Sequence, residues 1–229
     1  WRLEYGFSKF SIPELENDKR YGDCSDDTTQ EIILIQYQDY LLTTHLRMKV
    51  VKDEADMTLR TIRKTYPGMA VLEGAGVHLT RIFAQPDVNE LDPFLLLDFF
   101  DSDNPDDYKK GFPWHPHRGI ETITYLIEGE ITHEDSLGNK GVIKAMGCQW
   151  MTAGRSIIHQ EMPNSKERIL GVQLWLNLPR EHKMSEPAYR DIQAKDLTIA
   201  ADEDTHVKII AGTYKGKKGP VSGTYVDPV

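Results

Sequence analysis

The sequence predicts an all-β chain folded as a sandwich or barrel. Two observations carry this. From Leu59 onward, short runs rich in β-branched residues recur: GVHLTRIFA (76–84), ETITYLI (121–127), GVIKA (141–145), RSIIHQEM (155–162) and ILGVQLWLNL (169–178). Glycine, proline and Asx turns separate them, as in EGE (128–130), DSLGNKG (135–141) and PNSKE (163–167). Many short strands at close spacing build a sandwich or barrel, not βαβ units.

The remaining segments are read in order. Residues 1–56 are rich in Asp, Glu, Tyr, Gln and Lys and lack regular glycine punctuation. Within them, DCSDDTTQE (23–31) reads as a polar loop capping a helix from about Thr28. LRMKVV (46–51) alternates apolar and basic residues, a weak strand signal. DSDNPDDYKKG (101–111) is a charged loop, and the Gly- and Lys-rich tail 212–229 stops as a new strand begins. Opening on Trp1 rather than Met suggests a fragment or a trimmed chain. No internal repeat is detected.

Composition narrows the function. The chain has 229 residues, with 27 Lys and Arg against 36 Asp and Glu, a formal charge of −9. That balance argues against a protein that coats nucleic acid or an anionic membrane, since phosphate contacts need a basic face. The best apolar run, 32–42, contains Gln36, Gln38 and Asp39 and falls well short of the ~20 residues a spanning helix needs. No secretory leader opens the chain. Cys24 and Cys148 make neither a disulfide framework nor a CxxC site, which favours a reducing compartment, the cytoplasm or, in a eukaryote, the nucleus. GAG (74–76) is no dinucleotide fingerprint, and neither a P-loop nor GxSxG is present.

Two elements carry chemistry: His115-Pro116-His117 and His159-Gln160-Glu161. Spacing of i, i+2 puts both side chains of each pair on one face of a strand. Ile123, Tyr125 and Ile127 share the parity of the first pair, and Ile157 that of the second. If that face points into a barrel, three imidazoles and a carboxylate project into one cavity. Such a set suits Fe(II), Mn, Ni, Cu or Zn, with no thiolate to favour structural zinc. Four protein ligands on an octahedral ion leave two positions for substrate and O2, unlike a closed tetrahedral site. The competing reading is four polar turn residues satisfied by backbone hydrogen bonds.

The runs 111–141 and 149–163, which contain these elements, closely resemble the pirin family of the cupin superfamily. LRTIRKTYPG (59–68), EGAGVHLTRIFA (73–84), DPFLLLDFF (92–100), GVQLWLNLP (171–179) and VKIIAGTYKGKKGP (207–220) extend the resemblance over residues 57–229. It implies a cupin fold (a double-stranded β-helix, or jelly-roll barrel) with an iron site whose ligands are His115, His117, His159 and Glu161. The domain reading is an N-terminal extension at 1–56, a pirin-type barrel at 57–193, and a linker and truncated start of a second barrel at 194–229. Three departures stand out. Most of the second barrel is absent, residues 1–56 have no family counterpart, and the family's Gly-Asp turn is replaced by Ala145-Met146-Gly147-Cys148. Loss of that Asp is expected to loosen the hairpin leading to His159.

The resemblance implies a quercetin (flavonol) 2,3-dioxygenase using Fe(II), or another divalent transition metal, with O2. Glu161 is then also the general base. The alternative it implies is a non-enzymatic, redox-sensitive iron protein that co-regulates transcription through a protein partner at the surface around Arg118. Any DNA association would then be indirect, and no membrane role is expected. Glu121, on the assumed inward parity, is read as supporting the ligands or structural. Gln173, Trp150 and Met151 are read either as lining the cavity or, with at least equal weight, as core residues, and Cys148 is read as a buried inert thiol. His133, in the charged run HEDS near a hairpin tip, is expected to be exposed.

Overall fold

The computed structural model describes residues 62–225 except 87–88, 90 and 203–204, and the backbone of three short strands nearer the N-terminus. For residues 62–63 only the backbone is described. The described residues fall into two compact units, one drawn from Trp1–Pro67 and Thr198–Ser222, the other from Gly68–Leu197 and Gly223–Asp227.

In the first unit, β1 (Arg2–Leu3), β2 (Ile32–Tyr37), β3 (Tyr40–His45) and β4 (Ile62–Tyr66) form a sheet in the order β1-β3-β2-β4. A helix from Thr28 would run into β2, which is a strand instead. Three isoleucines in six residues favour an extended chain. The expected cap at 23–31 and strand at 46–51 lie outside the described residues.

The second unit is the barrel. Its strands are β5 (Met69–Glu73), β6 (Val77–Phe83), β7 (Phe94–Ser102), β8 (Phe112–His117), β9 (Ile120–Glu128), β10 (Glu130–Asp135), β11 (Lys140–Lys144), β12 (Cys148–Thr152), β13 (Ile157–Pro163), β14 (Ile169–Asn177) and β15 (Ala188–Ile192). Each of the five runs singled out in the sequence is a strand. They form an antiparallel sheet of seven, β15-β12-β9-β14-β7-β6-β5, and one of four, β11-β10-β13-β8. Side chains from both close the interior: Val77, Leu79, Phe100 and Leu126 from the larger sheet pack with Ile131 and Ile143 from the smaller. A second cluster, Met151, Ala153 and Ile157, again joins both sheets. Among the described residues no helix is long and apolar enough to cross a membrane. Completing the first unit, β16 (Thr198–Ala201) pairs with β17 (His206–Ile209), and β18 (Thr213–Tyr214) with β19 (Lys217–Lys218).

The barrel corrects one step of the parity argument. Between His117 and Ile120 the chain leaves the four-stranded sheet for the seven-stranded one, turning at Gly119 with φ +68°. That crossing resets the alternation. Thr124 reaches the Glu161 carboxylate, so the even residues of β9 face the interior. Ile123 and Tyr125 lie on the opposite face, although β9 is buried on both faces from Glu121 to Leu126. Glu121 shares that outer face. It is fully buried, and its Oε1 accepts from the Thr152 hydroxyl at 2.6 Å.

The Ala145–Cys148 turn holds without the missing Asp. Gly147 N donates to Lys144 O at 2.9 Å and Met146 N to Leu126 O at 2.7 Å, tying the hairpin to β9. The strain sits at Met146, a non-glycine residue at φ +64°. A left-handed conformation costs a side-chain-bearing residue about 1–2 kcal/mol, which glycine avoids. Met146→Gly is therefore expected to raise the urea midpoint, with a net gain of about 0.5–1 kcal/mol after the extra backbone entropy of glycine. An unchanged or lower midpoint would contradict this account of the turn.

Candidate metal centre

The site is built on the four-stranded sheet, where β13 lies between β8 and β10. Pairing sets His159 directly opposite His115, and Ile157 opposite His117, so the three imidazoles share the inner face. Past this point the ladder slips. Four residues of β8 (Phe112 to His115) lie against three of β13 (His159 to Glu161). The extra residue falls in the Pro113-Trp114 stretch, where proline has no N–H to give to the ladder. The bulge lets Phe112 and His115 both face the cavity despite their opposite parity.

The histidine ring centroids lie 4.4 Å apart for His115–His159, 4.9 Å for His115–His117 and 5.0 Å for His117–His159. One ligand nitrogen from each lies within 4.8 Å of the others, a group able to hold a metal ion. His115 Nδ1 is 2.8 Å from Pro113 O, so its N–H is directed there and Nε2 is left with its lone pair. His159 is fully buried, and its Nε2 has no hydrogen-bond partner among the described residues. A buried ring nitrogen without a partner is costly unless something binds it. With two further imidazoles beside it, this donor set fits a borderline transition-metal ion.

Glu161 does not join the three-histidine group. Its carboxylate, 4% exposed, accepts from Gln173 Nε2 at 3.1 and 3.3 Å and from the Thr124 hydroxyl at 3.4 Å. Gln173 is oriented in turn by Trp175, whose Nε1 donates to its Oε1 at 3.2 Å. The Trp175 ring also stands edge-on to His117, centroids 5.0 Å apart. Glu161 and Gln173 border a small cavity walled by Leu79, Phe100, Phe112 and Ile131.

The other candidates divide. Gln173 borders the small cavity beside Glu161. Trp150 is paired with Ile123 and so shares the outer face, while Met151 packs beside Ile157. Arg118 is exposed and donates to Arg155 O at 2.8 Å. Cys148 is fully buried, and burial pushes its thiol pKa up. His133 overturns its expectation: it is 0% exposed and faces His159. Its charged neighbour Glu134 points outward by alternation, whereas Asp135 turns inward with it, and the available signal was the parity it shares with Ile131. Trp175 was also missed, although it follows Gln173 by two residues on the same strand.

A two-sheet antiparallel barrel with imidazoles gathered on its inner face is a cupin-type fold. Residues 76–176 match the Pirin family model. The chain is 46% identical over 174 residues to a pirin-like protein of Caulobacter vibrioides, covering 75% of this chain and 63% of that one. Over 150 residues it is 43% identical to pirin of Rattus norvegicus, covering 65% and 50%. Among solved structures, a quercetin 2,3-dioxygenase from Acinetobacter baumannii matches with a TM-score of 0.65 and 37% identity, over 71% of this chain and 60% of that chain. Residues 76–176 are thus a Pirin family domain, and the chain spans between half and two-thirds of the length of these relatives.

The histidines also set a pH dependence. Burial, reinforced by His159 and His115, pushes His117 down to about 4, with Glu161 pulling weakly the other way. Burial, with His115 and His133, pushes His159 down to about 3. Unfolded histidine titrates near 6.5. Between these values the unfolded chain binds protons that the folded chain refuses, so lowering the pH through this window destabilises the fold. The metal-free protein is expected to lose up to ~1.4 kcal/mol per pH unit per histidine between about pH 6.5 and 4. Urea midpoints across this range would read the slope, and His159→Gln should make it shallower. A flat profile would mean that the imidazoles are not held neutral.

Proposed function

We propose that this barrel is a flavonol 2,3-dioxygenase of the quercetinase type, with His115, His117, His159 and Glu161 holding Fe(II) and residues 57–193 forming the catalytic domain. The observation that carries the reading is the buried, unpartnered His159 Nε2 facing two further imidazoles. The Acinetobacter baumannii structure, titled a quercetin 2,3-dioxygenase, supports the substrate class. When bound, the ion supplies Lewis acidity and a redox couple matched to O2.

The chain's own residues divide the remaining work. Leu79, Phe100, Phe112 and Ile131 wall the small cavity beside Glu161 and limit the water around its carboxylate. Glu161 takes the proton of the 3-hydroxyl group. Its Oε1 already accepts from Thr124 and Gln173, whereas Oε2 accepts from Gln173 alone, so Oε2 has the freer lone pair. Gln173, fixed by Trp175, keeps the carboxylate turned toward the cavity. O2 then adds across the heterocyclic ring, and CO and a depside ester leave.

The test is metal content and CO release on the same preparations, after anaerobic Fe(II) loading with quercetin as substrate. The unsubstituted chain is expected to hold near one metal ion and to bleach the flavonol. His159→Ala should lose the metal. Glu161→Gln should retain the metal and lose turnover by about 10²–10⁴-fold, the usual contribution of a general base. CO release unchanged in Glu161→Gln would overturn its role, and no metal in the unsubstituted chain would overturn the centre.

A further inference from the structure

Beside the histidine cluster, toward β10, lies a buried polar chain. The β10–β13 ladder sets Asp135 opposite His159 and His133 opposite Glu161. His133 Nδ1 lies 3.3 Å from His159 Nδ1, and His133 Nε2 lies 3.4 Å from Asp135 Oδ2. The side chains of His133 and Asp135 are both fully buried, as is His159. The His133 ring is stacked on Tyr189, centroids 4.5 Å apart and planes 21° from parallel. Tyr189 can sit there because the residue facing His133 on β11 is Gly141. A Cβ at that position would lie 2.1 Å from the tyrosine hydroxyl.

The direction of each hydrogen bond in this chain can be worked out from its far end. Asp135 Oδ1 accepts from the backbone N–H groups of Leu137 and Asn139, at 2.9 and 3.0 Å, and Oδ2 accepts from Asn139 Nδ2 at 2.8 Å. A carboxylate so surrounded by donors is ionised and only accepts. His133 Nε2 must then carry the proton, which leaves Nδ1 of the neutral ring as an acceptor. The partner of that acceptor, His159 Nδ1, must carry a proton in turn. The lone pair of His159 is thereby placed on Nε2, the atom without a partner that faces His115 and His117.

We propose that Asp135 and His133 are positioning residues that fix the tautomer and ring orientation of His159 and so set the metal affinity of the centre. This rests on the metal-centre reading above and adds to it a fourth histidine, one that never touches the ion. A reversed chain, with His133 donating to His159 Nδ1, would put the proton on Nε2 and close the site to a metal.

Two measurements with Zn(II), which is diamagnetic, test the relay. Long-range nitrogen–proton NMR correlations of the zinc-loaded chain should show His159 protonated on Nδ1 and His133 on Nε2. Chelator competition should show His133→Phe, which keeps the stacking on Tyr189 but cannot accept, binding zinc about 10–100-fold more weakly. His133→Asn places an amide oxygen where Nδ1 was, and it should recover most of the affinity. A purely structural role would not distinguish these two variants at matched stability. Failure of the unsubstituted chain to bind zinc would overturn the metal centre itself. Zinc bound with His133 protonated on Nδ1, or bound equally well by His133→Phe, would overturn the relay alone. If His133→Phe does not fold, the NMR assignment on the unsubstituted chain decides.

Discussion

The placement of β13 between β8 and β10 governs this barrel, because it gathers three imidazoles, tilted or edge-on to one another, on one face. Ring centroids of 4.4–5.0 Å leave no room for two positive charges, and burial disfavours even one. His117 and His159 are therefore held neutral well below their ordinary pKa. Neutral imidazoles with converging lone pairs and few donors to satisfy them favour a cation. A divalent ion meets that demand where a proton, shared by only one ring at a time, does not.

The two sheets contribute differently to this arrangement. The four-stranded sheet supplies the histidines and Glu161, along with Asp135 and His133 behind them. The seven-stranded sheet supplies Thr124, Gln173 and Trp175, which hold the Glu161 carboxylate. Beside Gln173 on that sheet lies Asp98, a buried carboxylate matched by a two-pronged bond from Arg81, whose Nε and Nη2 each donate at 2.8 Å. Burial raises the Asp98 pKa, and the bonds from Arg81 oppose that rise without cancelling it. Such a pair is tolerated in a core because each partner answers the other's charge, not because it adds much stability.

Much of this could be read from the residues. Alternating β-branched runs between turn residues marked the strands, since the period of a strand is local. Spacing of i, i+2 put His115 with His117, and His159 with Glu161, on common faces for the same reason. The parity argument broke at Gly119, where the chain passes from one sheet to the other and local alternation carries no information across. His133 was misread because polar neighbours on the outer face of β10 hid the inward alternation Ile131, His133, Asp135. The helix expected from Thr28 gave way to a strand at Ile32–Tyr37, where β-branched residues prevail over an upstream capping signal.

The strands, the family motif and the identity of the clustered histidines follow from the residues alone, because these depend on neighbours within a few positions. Which strands became adjacent depended on how the barrel packs, and that adjacency set the chemistry. Pairing β13 with β8 brought His159 against His115, while pairing it with β10 brought His133 and Asp135 behind it. The bulge in β8 and the crossing at Gly119 then chose which residues would face inward. These are contacts between segments far apart in the chain, selected by packing in the barrel, and no local pattern of side chains encodes them.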